Sequence, residues 1–199
     1  MLWAVITVEV LAAIVVAASV VGARRPTIPL TEQRVFRAIN GLPDWLFWVL
    51  WLPMQLGNLV VGLLAGLAVA IGYRSWTMAA AAVLAAVLKL VVERVFRHWT
   101  RPWLTARQRP GTSEPGAVLR GGDVPATGPS FPSGHVILAA AIACVIAVEV
   151  PTPWDWIPFV LTGLVMFGRV YVGAHNPLDV TAGLGLGLFV GALVGYVLV

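Results

Sequence analysis

Long apolar runs separated by short polar breaks dominate the chain. The runs cover residues 2–21, 44–73, 76–96, 133–150, 156–172 and 177–199. Most are close to the roughly 20 residues that a helix needs to cross a bilayer. The pattern therefore predicts an all-α fold, a polytopic membrane bundle of about six transmembrane helices.

One segment between the first two runs has a different pattern. In residues 31–42 the apolar and polar side chains are interleaved, with Val35, Phe36 and Ile39 among Glu32, Gln33, Arg34 and Arg37. A short helix of this kind typically lies in the membrane interface, with its polar side in water. We therefore predict an interfacial amphipathic helix with Glu32 on its polar side.

Residues 97–131 differ in composition from the rest of the chain. Arg, Pro, Gly, Thr and Ser predominate, and no apolar period continues through them. A loop of this length is commonly either functional or disordered. Because polar motifs border it at both ends, we predict an irregular loop that carries part of a functional site. The site would belong to a single domain that covers residues 1–199.

The composition indicates a membrane protein. Hydrophobic residues make up 59% of the chain, charged residues make up 11%, and the mean hydropathy is +0.89, which excludes a soluble domain with a hydrated surface. Cys144 is the single cysteine, so an intrachain disulfide and a cysteine metal cluster are excluded. The net charge of +4 comes from arginines in loops beside the spans. Anionic lipid headgroups are therefore nearer partners than nucleic acid.

Three short polar motifs lie at the ends of the apolar runs. They are Arg94-x6-Arg101-Pro102, Pro132-Ser133-Gly134-His135 and Arg169-x5-His175-x3-Asp179. With six spans, the third-to-fourth and fifth-to-sixth connections lie on the same membrane face, so the motifs can meet. Their guanidinium groups match a tetrahedral phosphate, and their imidazole and carboxylate groups suit nucleophilic attack and proton transfer.

The second and third motifs lie at the starts of predicted helices. Ser133 is a typical N-cap residue, which leaves the backbone N–H groups of Gly134 and His135 free to bind an anion. Asp179 follows His175 by about one helical turn, so its carboxylate can accept a hydrogen bond from one imidazole nitrogen. The other nitrogen is then held as an unprotonated nucleophile.

The three motifs resemble the signature of the type 2 phosphatidic acid phosphatase superfamily, which is Lys-x6-Arg-Pro, Pro-Ser-Gly-His and Ser-Arg-x5-His-x3-Asp. The resemblance implies a lipid phosphatase in which His175 forms a phosphohistidine, Asp179 orients His175 and His135 protonates the leaving oxygen. It also implies a phosphate-binding set formed by Arg94, Arg101, Ser133, Gly134 and Arg169. No cofactor and no metal ion are implied, because the guanidinium groups supply the positive charge.

Two positions depart from this signature. Arg94 stands where the family has lysine, which exchanges a compact ammonium for a wide fork. Gly168 replaces the serine before Arg169, and the lost hydroxyl would cost about 1 kcal/mol if it made one ordinary hydrogen bond. Neither departure affects the predicted nucleophile, acid or aspartate.

The predicted substrate is a lipid phosphate or an isoprenyl diphosphate, because a site at the ends of the spans lies at headgroup depth. One alternative is a lipid phosphotransferase, since the motifs do not distinguish water from an alcohol as the acceptor. Another is a non-catalytic lipid-binding membrane protein on the same fold. The presence of His135, His175 and Asp179 favours catalysis over this second alternative.

The membrane face of the site has two conflicting indications. The resemblance places the site on the extracytoplasmic face of a bacterial plasma membrane. The positive-inside rule places it in the cytoplasm, because the first and third loops hold most of the arginines and only Arg74 lies on the opposite side. These loop arginines are Arg24, Arg25, Arg34, Arg37, Arg97, Arg107, Arg109 and Arg120. The sequence leaves both assignments open.

Overall fold

The computed structural model describes residues 2–25, 27–104 and 107–198, and most of them are helical. The helices of these residues are α1 (Leu2–Ala23), α2 (Leu30–Asn40), α3 (Leu46–Gln55), α4 (Leu59–Gly72), α5 (Trp76–Thr100), α6 (Pro110–Ser113), α7 (Gly134–Glu149), α8 (Ile157–Tyr171) and α9 (Pro177–Leu198). The predicted all-α class is confirmed. The predicted amphipathic segment corresponds to α2.

The helices differ in how well they meet the requirements for a membrane span. Within α1 and α9, the segments Val5–Ala23 and Pro177–Gly195 are long and apolar enough to cross a membrane alone. α3 and α4 meet the same criterion only as a pair, which is bent by 68° at its break. α7 and α8 are apolar but shorter, with 16 and 15 residues. The six predicted spans correspond to α1, the α3 and α4 pair, α5, α7, α8 and α9.

The predicted span at residues 44–73 is broken and not continuous. Pro53 lies near the end of α3, which stops two residues later, because proline cannot donate the backbone hydrogen bond that a helix interior needs. α4 starts after Asn58, whose side-chain oxygen accepts a 3.0 Å hydrogen bond from the first turn. Between the two helices, Gly57 packs directly against His135. The break therefore brings this span to the second motif.

α7 is the central helix of the bundle, and most of its residues are buried. α9 packs along α7 through three glycines spaced four residues apart, which are Gly183, Gly187 and Gly191. A Cβ atom at these glycines would lie 2.7, 2.5 and 2.6 Å from the carbonyl oxygens of Ser133, Ile137 and Ala141. Small residues allow helix backbones to approach this closely. The contact fixes the starts of α7 and α9, which carry the second and third motifs, side by side.

The long connection between α5 and α7 is more ordered than the sequence predicts. α5 continues to Thr100, and the connection then contains the short helix α6 and an isolated antiparallel bridge. Its side chains Arg107 and Glu114 are buried. Since Arg107 donates a hydrogen bond to Asp179 at 2.8 Å, this connection packs against the start of α9.

Candidate active site

The third motif lies where α8 connects to α9, and its polar side chains are buried. His175 is 2% exposed and Asp179 is 0% exposed. The Asp179 Oδ2 accepts a 2.8 Å hydrogen bond from the backbone N–H of Asn176, which is one half of a capping box at the start of α9. The Asp179 Oδ1 accepts a 2.8 Å hydrogen bond from Arg107. The carboxylate is therefore held from two directions.

The imidazole of His175 faces this carboxylate without a hydrogen bond to it. The His175 Nδ1 is 3.8 Å from the Asp179 Oδ2, which is longer than a hydrogen bond. Within the described residues, this Nδ1 has no hydrogen-bond partner. The predicted hydrogen bond is therefore not formed in this arrangement, because Asn176 and Arg107 hold the carboxylate. At this separation the carboxylate still favours a positive charge on the ring.

The surroundings of His175 favour its neutral form. Its pKa is lowered to about 4, first by burial and then by the positive charges of Arg169 and Arg109, which together outweigh the opposing effect of Asp179. The imidazole is therefore neutral at neutral pH. A neutral imidazole keeps a free lone pair on one nitrogen, as a nucleophile requires.

The second motif forms the start of α7, as predicted. Ser133 has an extended N-cap conformation, with φ −75° and ψ 107°, but its side chain makes no capping hydrogen bond. Its backbone N–H donates to the carbonyl oxygen of Asp179 at 3.0 Å, which ties the two motifs together. The buried Ser133 hydroxyl has no hydrogen-bond partner in the described parts of the chain, and this suits a group that binds a ligand.

His135 connects the second motif to the third. It lies in the first turn of α7 and lines a narrow cleft of about 30 Å³ together with Asn58, Asp123 and Arg169. His135 interacts electrostatically with His175 and with Arg169. Both histidines therefore face the same group of charges, which is the arrangement that a nucleophile and a proton donor need.

Three arginines supply positive charge at this site. Arg169, in the last turn of α8, is 4% exposed, and its Nη1 is 3.4 Å from the Asp123 Oδ2. Arg109 donates a 2.9 Å hydrogen bond to the carbonyl oxygen of Ala174, next to His175. The pKa of Arg109 is lowered by burial and by the nearby charges of Arg97 and Arg169. Bound phosphate would relieve this repulsion, because guanidinium groups bind phosphate oxygens strongly.

A comparison with protein families identifies the group to which the chain belongs. The model of the PAP2 superfamily matches residues 71–198, which include all three motifs and the long connection. The chain belongs to the PAP2 superfamily. The resemblance stated from the motifs is thereby confirmed.

Two PAP2 relatives of known name match this chain in sequence. The decaprenylphosphoryl-5-phosphoribose phosphatase of Mycobacterium tuberculosis is 32% identical over 140 residues, which is 70% of each chain. The undecaprenyl-diphosphatase of Sulfolobus acidocaldarius is 42% identical over 65 residues, which is 32% of this chain. The chain spans only 31% of the length of that archaeal relative.

Two solved structures share the fold. A transmembrane PAP2-type phosphatidylglycerolphosphate phosphatase from Bacillus subtilis superposes with a TM-score of 0.68 at 23% identity, covering 96% of this chain and 93% of the other. Aquifex aeolicus LpxE superposes with a TM-score of 0.61 at 25% identity, covering 81% and 92%. Both likenesses extend over most of the helical bundle.

The two predicted arginines of the first motif lie outside the cluster that the other two motifs form. The side chains of Arg94 and Arg101 are exposed, and neither makes a hydrogen bond or an ion pair to another described residue. Because α5 continues through residue 100, residues seven apart lie on the same side of the helix, and here that side faces outward. Arg97, from the inner side, donates a 3.0 Å hydrogen bond to the carbonyl oxygen of Pro132. The structure thus brings Arg97 and Arg109 to the other two motifs, while Arg101 lines an open cavity beside Arg97.

The sequence contains signals for these two arginines. Arg109 precedes Pro110, so the segment that follows α5 has a second Arg-Pro pair after Arg101-Pro102. Arg97 follows Glu93 by four residues and pairs with it at 2.8 Å. Glu93 also pairs with Lys89 at 2.7 Å, so three alternating charges form one stripe along α5. Such a stripe with helical spacing indicates a face that packs against other polar groups.

The departure at Gly168 has a packing explanation. A Cβ atom on Gly168 would lie 2.5 Å from the Cγ of Met54 in α3. The serine of the family signature would therefore require Met54 to move. In this chain the site lacks that hydroxyl because α3 packs against α8 at this point.

Proposed function

We propose that this protein is a membrane lipid phosphatase that forms a phosphohistidine on His175. The observation that carries the proposal is the buried and neutral His175 between Asp179 and the arginine cluster, with His135 beside it. Membership of the PAP2 superfamily and the names of the relatives, which are phosphatases, support the same reaction.

The reaction proceeds in two steps. In the first, the free Nε2 of His175 attacks phosphorus and the bond from phosphorus to the leaving oxygen breaks. His135, which is protonated beside the bound phosphate anion, gives this oxygen its proton. Asp179 stabilises the positive charge that forms on the His175 ring. In the second step, water gives a proton to His135 and attacks the phosphohistidine. Inorganic phosphate leaves, and both histidines return to their starting states.

The phosphate would be bound by Arg97, Arg109 and Arg169, with the Ser133 hydroxyl as a further donor. Guanidinium groups that are fixed before the reaction stabilise the charge that spreads over the phosphoryl oxygens. Within the described residues, no group of three His, Cys, Asp or Glu side chains is placed to hold a metal ion. We therefore propose a reaction without a metal ion, in which a chelator leaves the rate unchanged and vanadate inhibits by occupying the phosphate site.

An apolar cavity supports a lipid substrate. A cavity of about 340 Å³ runs between α4, α7 and α8, from Leu56 at the helix break to Tyr73 and Trp154. Leu56 adjoins Gly57, which packs against His135, so the cavity begins beside the proposed acid. α4 has 14 residues, so the cavity follows a helix about 20 Å long. We propose that it holds part of a polyprenyl or acyl chain while the phosphate lies at the histidines.

We also propose that the site faces the extracytoplasmic side of the plasma membrane. Four of the arginines that favour the cytoplasm bind other groups of the structure. Arg97 pairs with Glu93, Arg107 with Glu32, Arg109 with the Ala174 carbonyl and Arg120 with Asp44. The positive-inside rule concerns charges that interact with the translocation machinery and the membrane surface. These four have a structural explanation, which weakens the argument for the cytoplasm.

Trapping the phosphoenzyme tests the mechanism. The purified protein would be mixed with a polyprenyl phosphate labelled on phosphorus and quenched at early times. We expect label on the wild-type protein that is stable to alkali and labile to acid, as a phosphohistidine is. His175→Ala should carry no label and release no phosphate, while His98→Ala, at an exposed histidine that is not one of the residues defining the motifs, should behave as wild type. Phosphate release by a folded His175→Ala protein would refute the mechanism.

A further inference from the structure

Glu32 is a buried carboxylate that the proposed reaction does not use. It lies in the first turn of α2, and its side chain is 5% exposed. Its two oxygens accept hydrogen bonds of 2.9 and 2.8 Å from Nη1 and Nη2 of Arg107. The Oε1 also accepts a 2.9 Å hydrogen bond from the backbone N–H of Leu178, in the first turn of α9. Glu32 therefore contacts both a buried arginine and the helix start that carries Asp179.

Arg107 connects Glu32 to Asp179. Its side chain is 2% exposed, and its Nη2 is 2.8 Å from Glu32 Oε1 and 2.8 Å from Asp179 Oδ1. A planar guanidinium bound at both nitrogens of its fork has a fixed orientation. Because one guanidinium is shared by two carboxylates, the position of the Asp179 carboxylate depends on Glu32.

We propose that Glu32 and Arg107 are positioning residues, which hold the Asp179 carboxylate at the distance from His175 Nδ1 that the reaction needs. The inference rests on the proposed role of His175. Neither residue touches the substrate, and both act through Asp179. The interfacial helix α2 is therefore a part of the catalytic arrangement and not only a contact with the membrane surface.

The charges around Asp179 predict opposite effects for the two residues. The charges that face His175 and Asp179 come from the long connection, α7 and α8, and they are Arg107, Arg109, His135 and Arg169. Glu32 and Glu114 face Arg107 from α2 and the long connection. Without the negative charge of Glu32, Asp179 is the one carboxylate of the described residues that stays hydrogen-bonded to Arg107, which draws the carboxylate from His175 and lowers the pKa of His175. Without the positive charge of Arg107, Asp179 is free to bind His175, and the pKa of His175 rises.

The pH dependence of kcat tests this proposal. In Glu32→Gln we expect kcat to fall about ten- to a hundredfold, as for other residues that orient a reacting side chain. The KM should change less than about threefold, since no substrate contact is lost. The acid limb of the profile should move to lower pH in Glu32→Gln and to higher pH in Arg107→Gln. If both residues were only structural, each substitution would reduce the fraction of active protein. The acid limb would then not shift in opposite directions in the two variants.

Glu114→Gln is the matched control. Glu114 is 2% exposed, and its carboxylate oxygens have no hydrogen-bond partner among the described residues. The Glu114→Gln substitution removes a buried negative charge near Arg107 without removing a hydrogen bond to Arg107. The acid limb should therefore stay in place. An equal shift in Glu114→Gln, or an unmoved limb in Glu32→Gln, would overturn the proposal.

Two further measurements separate folding and mechanism from positioning. Thermal unfolding in detergent reports whether each variant is folded. If Arg107→Gln does not fold, Arg107→Lys replaces it, because lysine keeps the positive charge but loses the planar fork of the guanidinium. Arg107→Lys should lose kcat with little movement of the acid limb, and wild-type kcat in it would count against positioning. His175→Ala is assayed in parallel, because activity in this variant refutes the phosphohistidine mechanism itself, whatever Glu32→Gln does.

Discussion

Gly57→Ala is the smallest substitution that tests whether the break between α3 and α4 positions His135. The added Cβ would lie 2.6 Å from the Cβ, 2.9 Å from the Cδ2 and 3.0 Å from the carbonyl oxygen of His135. Carbon atoms in contact are normally about 3.5 Å or more apart, so His135 must move by about 1 Å. Gly57 is not among the glycines with positive φ in the described chain, so alanine causes a contact effect and no backbone strain.

The displacement predicts a loss of rate larger than the loss of stability. A misplacement of about 1 Å in a catalytic group costs about a hundredfold in rate. Overpacking of this kind destabilises a protein by about 1–3 kcal/mol, which leaves most molecules folded at the assay temperature. The fall in kcat should therefore be seen in protein that remains folded by thermal unfolding.

Two substrates identify His135 as the residue through which Gly57 acts. A lipid phosphate has a poor leaving group that needs a proton, whereas p-nitrophenyl phosphate has an activated leaving group that hardly needs one. Gly57→Ala should therefore slow phosphate release from the lipid much more than from p-nitrophenyl phosphate. Gly163→Ala in α8, where an added Cβ meets no atom within 4 Å, should leave both rates unchanged. Wild-type rates in Gly57→Ala, or equal losses on both substrates, would show that this reasoning is wrong.

Three further predictions concern the nucleophile, the lipid chain and the membrane face. The acid limb of the wild-type kcat/KM profile, which reports the free enzyme, should lie near pH 4, because His175 attacks only when unprotonated and its pKa is lowered to about 4. A limb at the ordinary histidine pKa of about 6.5 would contradict the buried site. Ala65→Trp, inside the apolar cavity, should raise the KM for a long-chain lipid phosphate about tenfold, the equivalent of about two buried methylenes, and leave p-nitrophenyl phosphate hydrolysis unchanged. Leu64→Trp on the exposed side of α4 is its control, and an equal effect of both variants would exclude the cavity as the chain site. Gly122→Cys, at an exposed position with open space around it, should react with an impermeant thiol reagent on whole cells, and labelling only after lysis would place the site in the cytoplasm.

The hydrophobic pattern predicted most of the helices because every apolar run except the one at 44–73 corresponds to one helix. The amphipathic segment at 31–42 corresponds to α2, and the runs at 133–150 and 156–172 correspond to α7 and α8. The pattern did not predict the break at Gly57, since leucine, glycine and asparagine around it are compatible with either a kinked or a continuous span. The contact of Gly57 with His135 selects the kinked span. Because these two residues are far apart in the sequence, the local pattern does not show this contact.

The structure brings the predicted residues of the second and third motifs together and leaves Arg94 of the first motif exposed on α5. His135, His175 and Asp179 lie at helix starts or in a short connection, where neighbours in sequence are neighbours in space. Arg94 and Arg101 follow the family spacing, but α5 continues past residue 97 and places both on an outward face. Spacing alone cannot reveal which side of a helix faces the site. The ion pairs of Glu93 along α5 identify the inward side, and they include Arg97.

The amphipathic pattern of α2 misassigned Glu32 because a buried polar residue and an exposed one look alike in sequence. Glu32, Phe36 and Asn40 form the buried stripe of α2, and a buried polar group requires partners. Glu32 finds them in Arg107 and Leu178, while Asn40 donates hydrogen bonds to the carbonyl oxygens of Val118 and Tyr171 at 2.8 and 2.9 Å.

Every one of these partners lies more than 70 residues away along the chain, so no local pattern could predict them. The two ends of α2 are thereby bonded to different parts of the site. The end at Glu32 binds the start of α9, and the end at Asn40 binds the long connection and the end of α8. A helix held at both ends in this way cannot leave the membrane interface without disturbing Asp179 at one end and the connection after Arg169 at the other. Substitutions that loosen α2 should therefore reduce kcat even where every residue that touches the substrate is unchanged.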